Sequence, residues 1–180
     1  MKRNIVISIF VIALVGGIIA MRFLKHTPSI GMSSPIETIG DSAMQVKESD
    51  RGIVRAFFGN NIKDPNVLHC DRVYPVERVV PKTQAVARTA LQELLMGLTP
   101  FEKQEGYFTA INDGVKIQKL TIENGTAFVD FDETLEAQVG GSCRVTIIRA
   151  QIKETLKQFP TVQNVVLTVN GRGEDIILQP

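Results

Sequence analysis

Cys70 and Cys143 are the two cysteines of this 180-residue chain, and they offer two kinds of chemistry. The first is nucleophilic. His69 stands beside Cys70, Cys143 sits where a helix begins, and a helix N-terminus lowers a thiol pKa. A dyad also needs a base, and the supply is thin, because only His26 and His69 exist and His26 lies in a stretch without periodic pattern. No GxSxG, HExxH, P-loop or paired CxxC motif is present, so no catalytic residue is assigned. The second chemistry is oxidative. The two cysteines lie in opposite halves of the C-terminal domain, downstream of an apparent export signal. A disulfide is therefore expected, with two buried free thiols as the alternative. Closing a loop of this length stabilises by about 4 kcal/mol in the chain-entropy view.

Asp130, Asp132 and Glu133 cluster where a strand-like run ends, a setting in which a hard cation can sit. A calcium loop needs more oxygen ligands at fixed spacing than Asp-Phe-Asp-Glu supplies, and no EF-hand pattern surrounds it. Capping and turn formation are the preferred reading, and neither metal nor cofactor is expected. Arg78 raises a different question, since strand alternation puts it on the same face as Val76 and Val80, which should look inward. A buried guanidinium needs a carboxylate or carbonyl partner. Glu102 is the expected partner, pinning the segment after Gly97 to the sheet.

The elements that carry these residues follow from periodicity. Residues 53–58 and 73–80 read as strands, and Pro75 and Pro81 imply that the second lies at an edge or starts late. Lys82-Thr83 opens a helix in which Ala87, Ala90, Leu91, Leu94 and Leu98 share one face, with Gly97 near its end. Residues 99–112 form a long connection. Residues 115–122 and 126–131 flank Asn124-Gly125 and form a hairpin. Gly140 and Gly141 then break the chain, and Ser142 N-caps a helix whose Val145, Ile148, Ile152, Leu156 and Phe159 form one stripe. Pro160 stops it, residues 165–169 make a β-branched strand, and a last strand spans 175–178. The expected fold class is α+β, in the order ββα-ββα-ββ, with two helices packed on one face of a mostly antiparallel or mixed sheet. Phe57, Phe58, Phe128 and Phe131 are assigned to its core.

The ordered set of motifs resembles a GerMN domain, the module named after a germination and sporulation protein. The set comprises Val76-Glu77-Arg78 with Pro81, the Ala-rich helix, Gly97-Leu98-Thr99-Pro100-Phe101-Glu102 and Gly106-Tyr107. It continues through Thr109-Ala110-Ile111, Asn124-Gly125-Thr126 and the Gly140-Gly141 block, so it spans roughly residues 51–180. Cys70 and Cys143 stand outside that pattern. GerMN domains are similar to ring-building motifs, so the resemblance implies subunit contacts in envelope complexes and no enzymatic activity.

The first 51 residues bear on location. Ile5 to Met21 is apolar and uncharged, and at about 1.5 Å per residue it spans roughly 26 Å of helix. An uncleaved transmembrane anchor is expected, with a cleaved signal peptide as the alternative, since Met21-Arg22-Phe23 lacks the small residues of a cleavage site. Residues 26–51, with Pro28, Gly31, Pro35 and Gly40, read as a flexible linker, leaving 52–180 as one domain. Without Lys2, Arg3, Arg22 and Lys25, the 20 basic residues fall to 16 against 19 acidic ones, a balance of −3 that excludes nucleic acid as a partner. Trp is absent and only Tyr74 and Tyr107 represent tyrosine, so a sugar-stacking platform is disfavoured. The expected protein is a membrane-anchored, single-pass, extracytoplasmic module with a protein partner or self-association. The alternatives are a small-molecule or cell-wall ligand-binding module with a pocket under residues 99–112, and an envelope hydrolase or thiol enzyme.

Overall fold

The computed structural model describes residues 48–173 and 177–179. The expected anchor and residues 26–47 of the expected linker lie outside them. Among the described residues no helix is long and apolar enough to cross a membrane.

A short 3-10 turn, Glu48–Asp50, leads into strand β1, Arg51–Asn60, one residue inside what reads as linker. Alternation turns Val54, Ala56 and Phe58 into the core and Arg51, Ile53 and Arg55 outward. Strand β2, Tyr74–Pro81, pairs antiparallel with β1, setting Ile53 opposite Val79 and Arg55 opposite Glu77. Helix α1, Val86–Met96, starts later than Lys82-Thr83 suggests, because the Ala85 N–H bonds to Thr83 Oγ at 3.1 Å and holds a turn there. It buries Ala87, Ala90, Leu91 and Leu94. It ends at Gly97, whose φ of 80° is the left-handed conformation that glycine reaches without a steric penalty. Leu98 therefore lies past the helix, half-buried against the core.

Residues 99–112 differ from the expected single connection. They contain helix α2, Pro100–Gln104, and strand β3, Tyr107–Phe108, which pairs with the end of β1 through Gly59 and Asn60. The first sheet thus has the order β2-β1-β3, with β2 at its edge, where prolines are tolerated.

Strand β4, Ile117–Glu123, turns through Asn124 (φ 50°) and Gly125 (φ 76°) into strand β5, Thr126–Phe131. Both central residues have the positive φ of a type I′ turn, whose twist matches the strands it joins. Helix α3, Ser142–Lys157, crosses over to strand β6, Asn164–Val169, which runs parallel to β5. Gly141, not Ser142, occupies the N-cap; Ser142 is already helical, and its carbonyl accepts from Thr146 Oγ at 2.8 Å.

β4, β5 and β6 form a second sheet, so the strands divide into two three-stranded sheets and not one. The cause is the brevity of β3. Two residues of pairing cannot carry a ladder forward, and the chain leaves the first sheet before β4 begins. The order becomes ββααβββαβ. Of the expected last strand, residues 175 and 176 lie outside the described set, while Ile177 and Leu178 are buried but form no strand. One core joins both sheets through Phe58, Leu91, Phe131, Ile148, Leu156 and Leu167. Phe128 is a correction: it faces outward from the second sheet and is 43% exposed.

Candidate functional site

Arg78 projects from the inward face of β2 and meets Glu102 of α2. Its Nη2 donates to Glu102 Oε2 at 2.8 Å, its Nη1 bonds to Oε1, and Nη2 also donates to the Gly97 carbonyl at 3.1 Å. Glu93 of α1 adds a second carboxylate at 3.6 Å, and the guanidinium lies 5.8 Å from the Phe58 ring centroid. Glu102 also closes a capping box: Thr99 N–H donates to its Oε2 at 2.9 Å, and its own N–H donates to Thr99 Oγ at 3.3 Å. Burial alone would raise the Glu102 pKa. The hydrogen bonds from Arg78 and Thr99, with the Arg78 charge, outweigh it and hold the carboxyl below its ordinary 4.5. A bidentate, desolvated pair of this kind locks α2 against the sheet. Its chemistry is structural.

A second polar array lies on α3 and answers a problem set by β1. That strand pairs with β2 on one side, but β3 reaches only its last two residues on the other. Arg55 and Phe57 would keep unmet main-chain groups there, and side chains of α3 and of its C-cap, Gln158, meet them. The Gln158 amide accepts from Arg55 N–H at 2.9 Å and donates to its carbonyl at 2.7 Å, as a neighbouring strand would. Thr155 Oγ accepts from Phe57 N–H at 3.1 Å. Gln151, fully buried, donates to the Phe57 carbonyl at 3.4 Å and to Thr109 Oγ at 3.1 Å, while its oxygen accepts from Ala110 N–H at 3.1 Å. Sequence reasoning missed this array. Its signal was a polar row at helical spacing, 151, 155 and 158, flanking the apolar stripe.

Cys70 and Cys143 form a disulfide with a Cα–Cα separation of 5.1 Å, tying the β1–β2 loop to the start of α3. A bonded sulfur is no nucleophile, so the thiol-dyad reading falls; His69 is exposed, with its N–H on Asp64 Oδ2 at 3.1 Å. The loop has a further clasp: Lys63 Nζ lies 5.1 Å from the Tyr74 ring centroid and 5.0 Å from that of Tyr107, and donates to the Tyr107 hydroxyl. Both tyrosines are thereby engaged.

The acidic cluster is dispersed over structural bonds. Asp130 accepts from Thr168 Oγ at 2.5 Å and Gly171 N–H at 2.9 Å, and Asp132 accepts from Lys116 N–H at 3.0 Å. Asn170 donates to Glu133 at 3.1 Å and holds its carboxyl below the usual range. Among the described residues no group of three or more His, Cys, Asp or Glu side chains is placed to hold a metal ion.

Residues 98–113 themselves border a hollow of about 510 Å³, with Lys103, Tyr107, Thr109 and Asn112 on its wall. Most of its polar groups are already engaged: Tyr107 with Lys63, Thr109 with Gln151, and Asn112 with the Thr134 and Ala137 carbonyls and with Arg144. The outward face of the first sheet is the opposite case. There Ile53 and Val79, cross-strand partners, are 66% and 67% exposed beside the solvated Arg55–Glu77 pair at 3.4 Å.

Of the remaining motif positions, Val76 is half-buried against the core, Glu77 pairs with Arg55, Gly125 makes the hairpin turn, and Gly140 and Gly141 precede α3.

Comparison with known proteins places this fold. The model of the Germane family, described as sporulation and spore germination, matches residues 57–175. The tandem GerMN domains of the sporulation protein GerM from Bacillus subtilis share the fold, with a TM-score of 0.52 at 19% identity. The match covers 68% of this chain and 40% of that one, so this chain spans two-fifths of the tandem structure. The first GerMN domain of the same protein gives a TM-score of 0.48 at 18% identity, covering 70% of this chain and 88% of that one. No curated protein matches the chain significantly. With a family match over most of its length and a GerMN-type arrangement of strands and helices, the chain belongs to the Germane family of sporulation and spore germination domains.

Proposed function

We propose that this chain is a non-enzymatic interaction module of an envelope-associated assembly, held outside the cytoplasmic membrane by the apolar segment from Ile5 to Met21. The observation that carries this reading is the exposed Ile53–Val79 pair, two large apolar side chains left in water side by side on the outward face of the first sheet. The disulfide fits an oxidising compartment. The residues with chemical potential, Cys70, Cys143, Arg78, Glu102 and Asp130, all serve structural bonds. A ligand-binding role for the hollow bordered by residues 98–113 is weaker, because most of its polar lining already has partners.

The test is made in intact cells with the full-length chain. A photo-crosslinking residue at position 53 gives a discrete protein adduct that Val79→Glu removes, and a cysteine at position 79 reacts with a membrane-impermeant maleimide. Absence of an adduct overturns the interaction role; a thiol that reacts only after lysis overturns the location.

A further inference from the structure

Among the described residues, β4 has a strand neighbour on one side only. The groups on its other edge follow from the hairpin. In a two-residue type I′ hairpin the flanking pair, here Glu123 and Thr126, exchanges hydrogen bonds across the ladder. Alternation extends this to Thr121 with Phe128, and turns the N–H and C=O groups of Leu120 and Ile122 away from β5. Ile122 is 40% exposed although it lies on the inward face, and beside it Val86, Ala87, Phe159 and Pro160 line a hollow of about 490 Å³.

We propose that β4 pairs antiparallel with β4 of a second copy of this chain, about a two-fold axis through Thr121. Main-chain geometry and charge select this register together. Centring on Thr121 sets Leu120 opposite Ile122 of the second copy, so outward N–H groups meet outward carbonyls. It also sets Lys119 opposite Glu123 of the second copy, and symmetry makes that contact twice. Both side chains are exposed, and neither has an ion-pair partner in its own chain among the described residues. A register centred on Leu120 sets Lys119 against Thr121, and one centred on residue 119 sets lysine against lysine. A lysine on a strand edge ordinarily discourages pairing. Here the second copy brings its counter-charge, and the bulge between Ile117 and Lys119 confines the contact to residues 119–123. The product is a continuous six-stranded sheet, β6-β5-β4-β4-β5-β6, with the two hollows beside Ile122 brought together.

This edge is separate from the Ile53–Val79 face, so the inference does not depend on the interaction role proposed for that face. The test uses the full-length chain in detergent. Thr121→Cys forms a disulfide-linked dimer on mild oxidation, while Val166→Cys, two strands away on the same face, stays monomeric. By light scattering, Lys119→Glu or Glu123→Lys alone weakens self-association about tenfold, and the double swap restores it. Melting curves confirm that each variant is folded. A chain that stays monomeric at all concentrations, a cysteine at 121 that links no faster than one at 166, or a double swap as weak as its single parents overturns the proposal.

Discussion

Along β1, the main-chain groups of Arg55 and Phe57 that no strand meets are met by Thr155 and Gln151 of α3 and by its C-cap, Gln158, whereas along β4 the outward groups of Leu120 and Ile122 meet no described strand. The two sheets are alike in strand number and share a core, yet one edge is sealed from within the chain and the other is left open. The difference shows how a helix can complete a sheet. A side-chain amide presents a donor and an acceptor at the spacing of a peptide group, so one glutamine at the right height on a helix replaces a residue of a missing strand. The second sheet has no such device, and its open edge carries the exposed Lys119 and Glu123.

The largest test of that contrast lies where α2 is clamped to the first sheet. Glu102→Leu leaves Arg78 with only the more distant Glu93 and a carbonyl, and costs about 3 kcal/mol in urea unfolding. Arg78→Met added to it recovers most of the loss, because the uncompensated charge and not the missing bond is the main penalty. The pair also sets a pH dependence. The Glu102 pKa is depressed in the folded state, so its contribution is present above its ordinary 4.5 and is lost as pH falls through that value and below. Glu102→Gln removes this acid-side component, and unfolding curves from pH 3 to pH 7 measure the loss.

A somewhat smaller effect comes from the sealed edge itself. Gln151→Leu keeps the side-chain volume but strands the Phe57 carbonyl and Ala110 N–H, and costs about 2 kcal/mol by urea unfolding. An unchanged midpoint means that the helix does not complete the sheet.

Much of this was readable from residue order. The hairpin was legible because Asn-Gly specifies the positive φ angles of its turn, and Arg78 because alternation puts a charge on an inward face where it must find a partner. The capping box was present as Thr99 and Glu102 three residues apart, with Pro100 at the first helical position, yet a five-residue helix inside a loop-like stretch carries too little periodicity to announce itself. The division into two sheets was not legible, since it depends on β3 stopping after two residues. Gln151 was hidden for a different reason: a polar residue beside an apolar stripe reads as solvated until the strand edge it faces is known.

Amide hydrogen exchange on the full-length chain, at a dilute and a concentrated setting, tests the contrast between the two edges most directly. The amides of Arg55 and Phe57 should be protected at both concentrations, whereas those of Leu120 and Ile122 should exchange quickly when dilute and gain protection only on concentration. Leu120 and Ile122 protected in the dilute chain, or Arg55 and Phe57 exchanging as fast as a free edge, would contradict it.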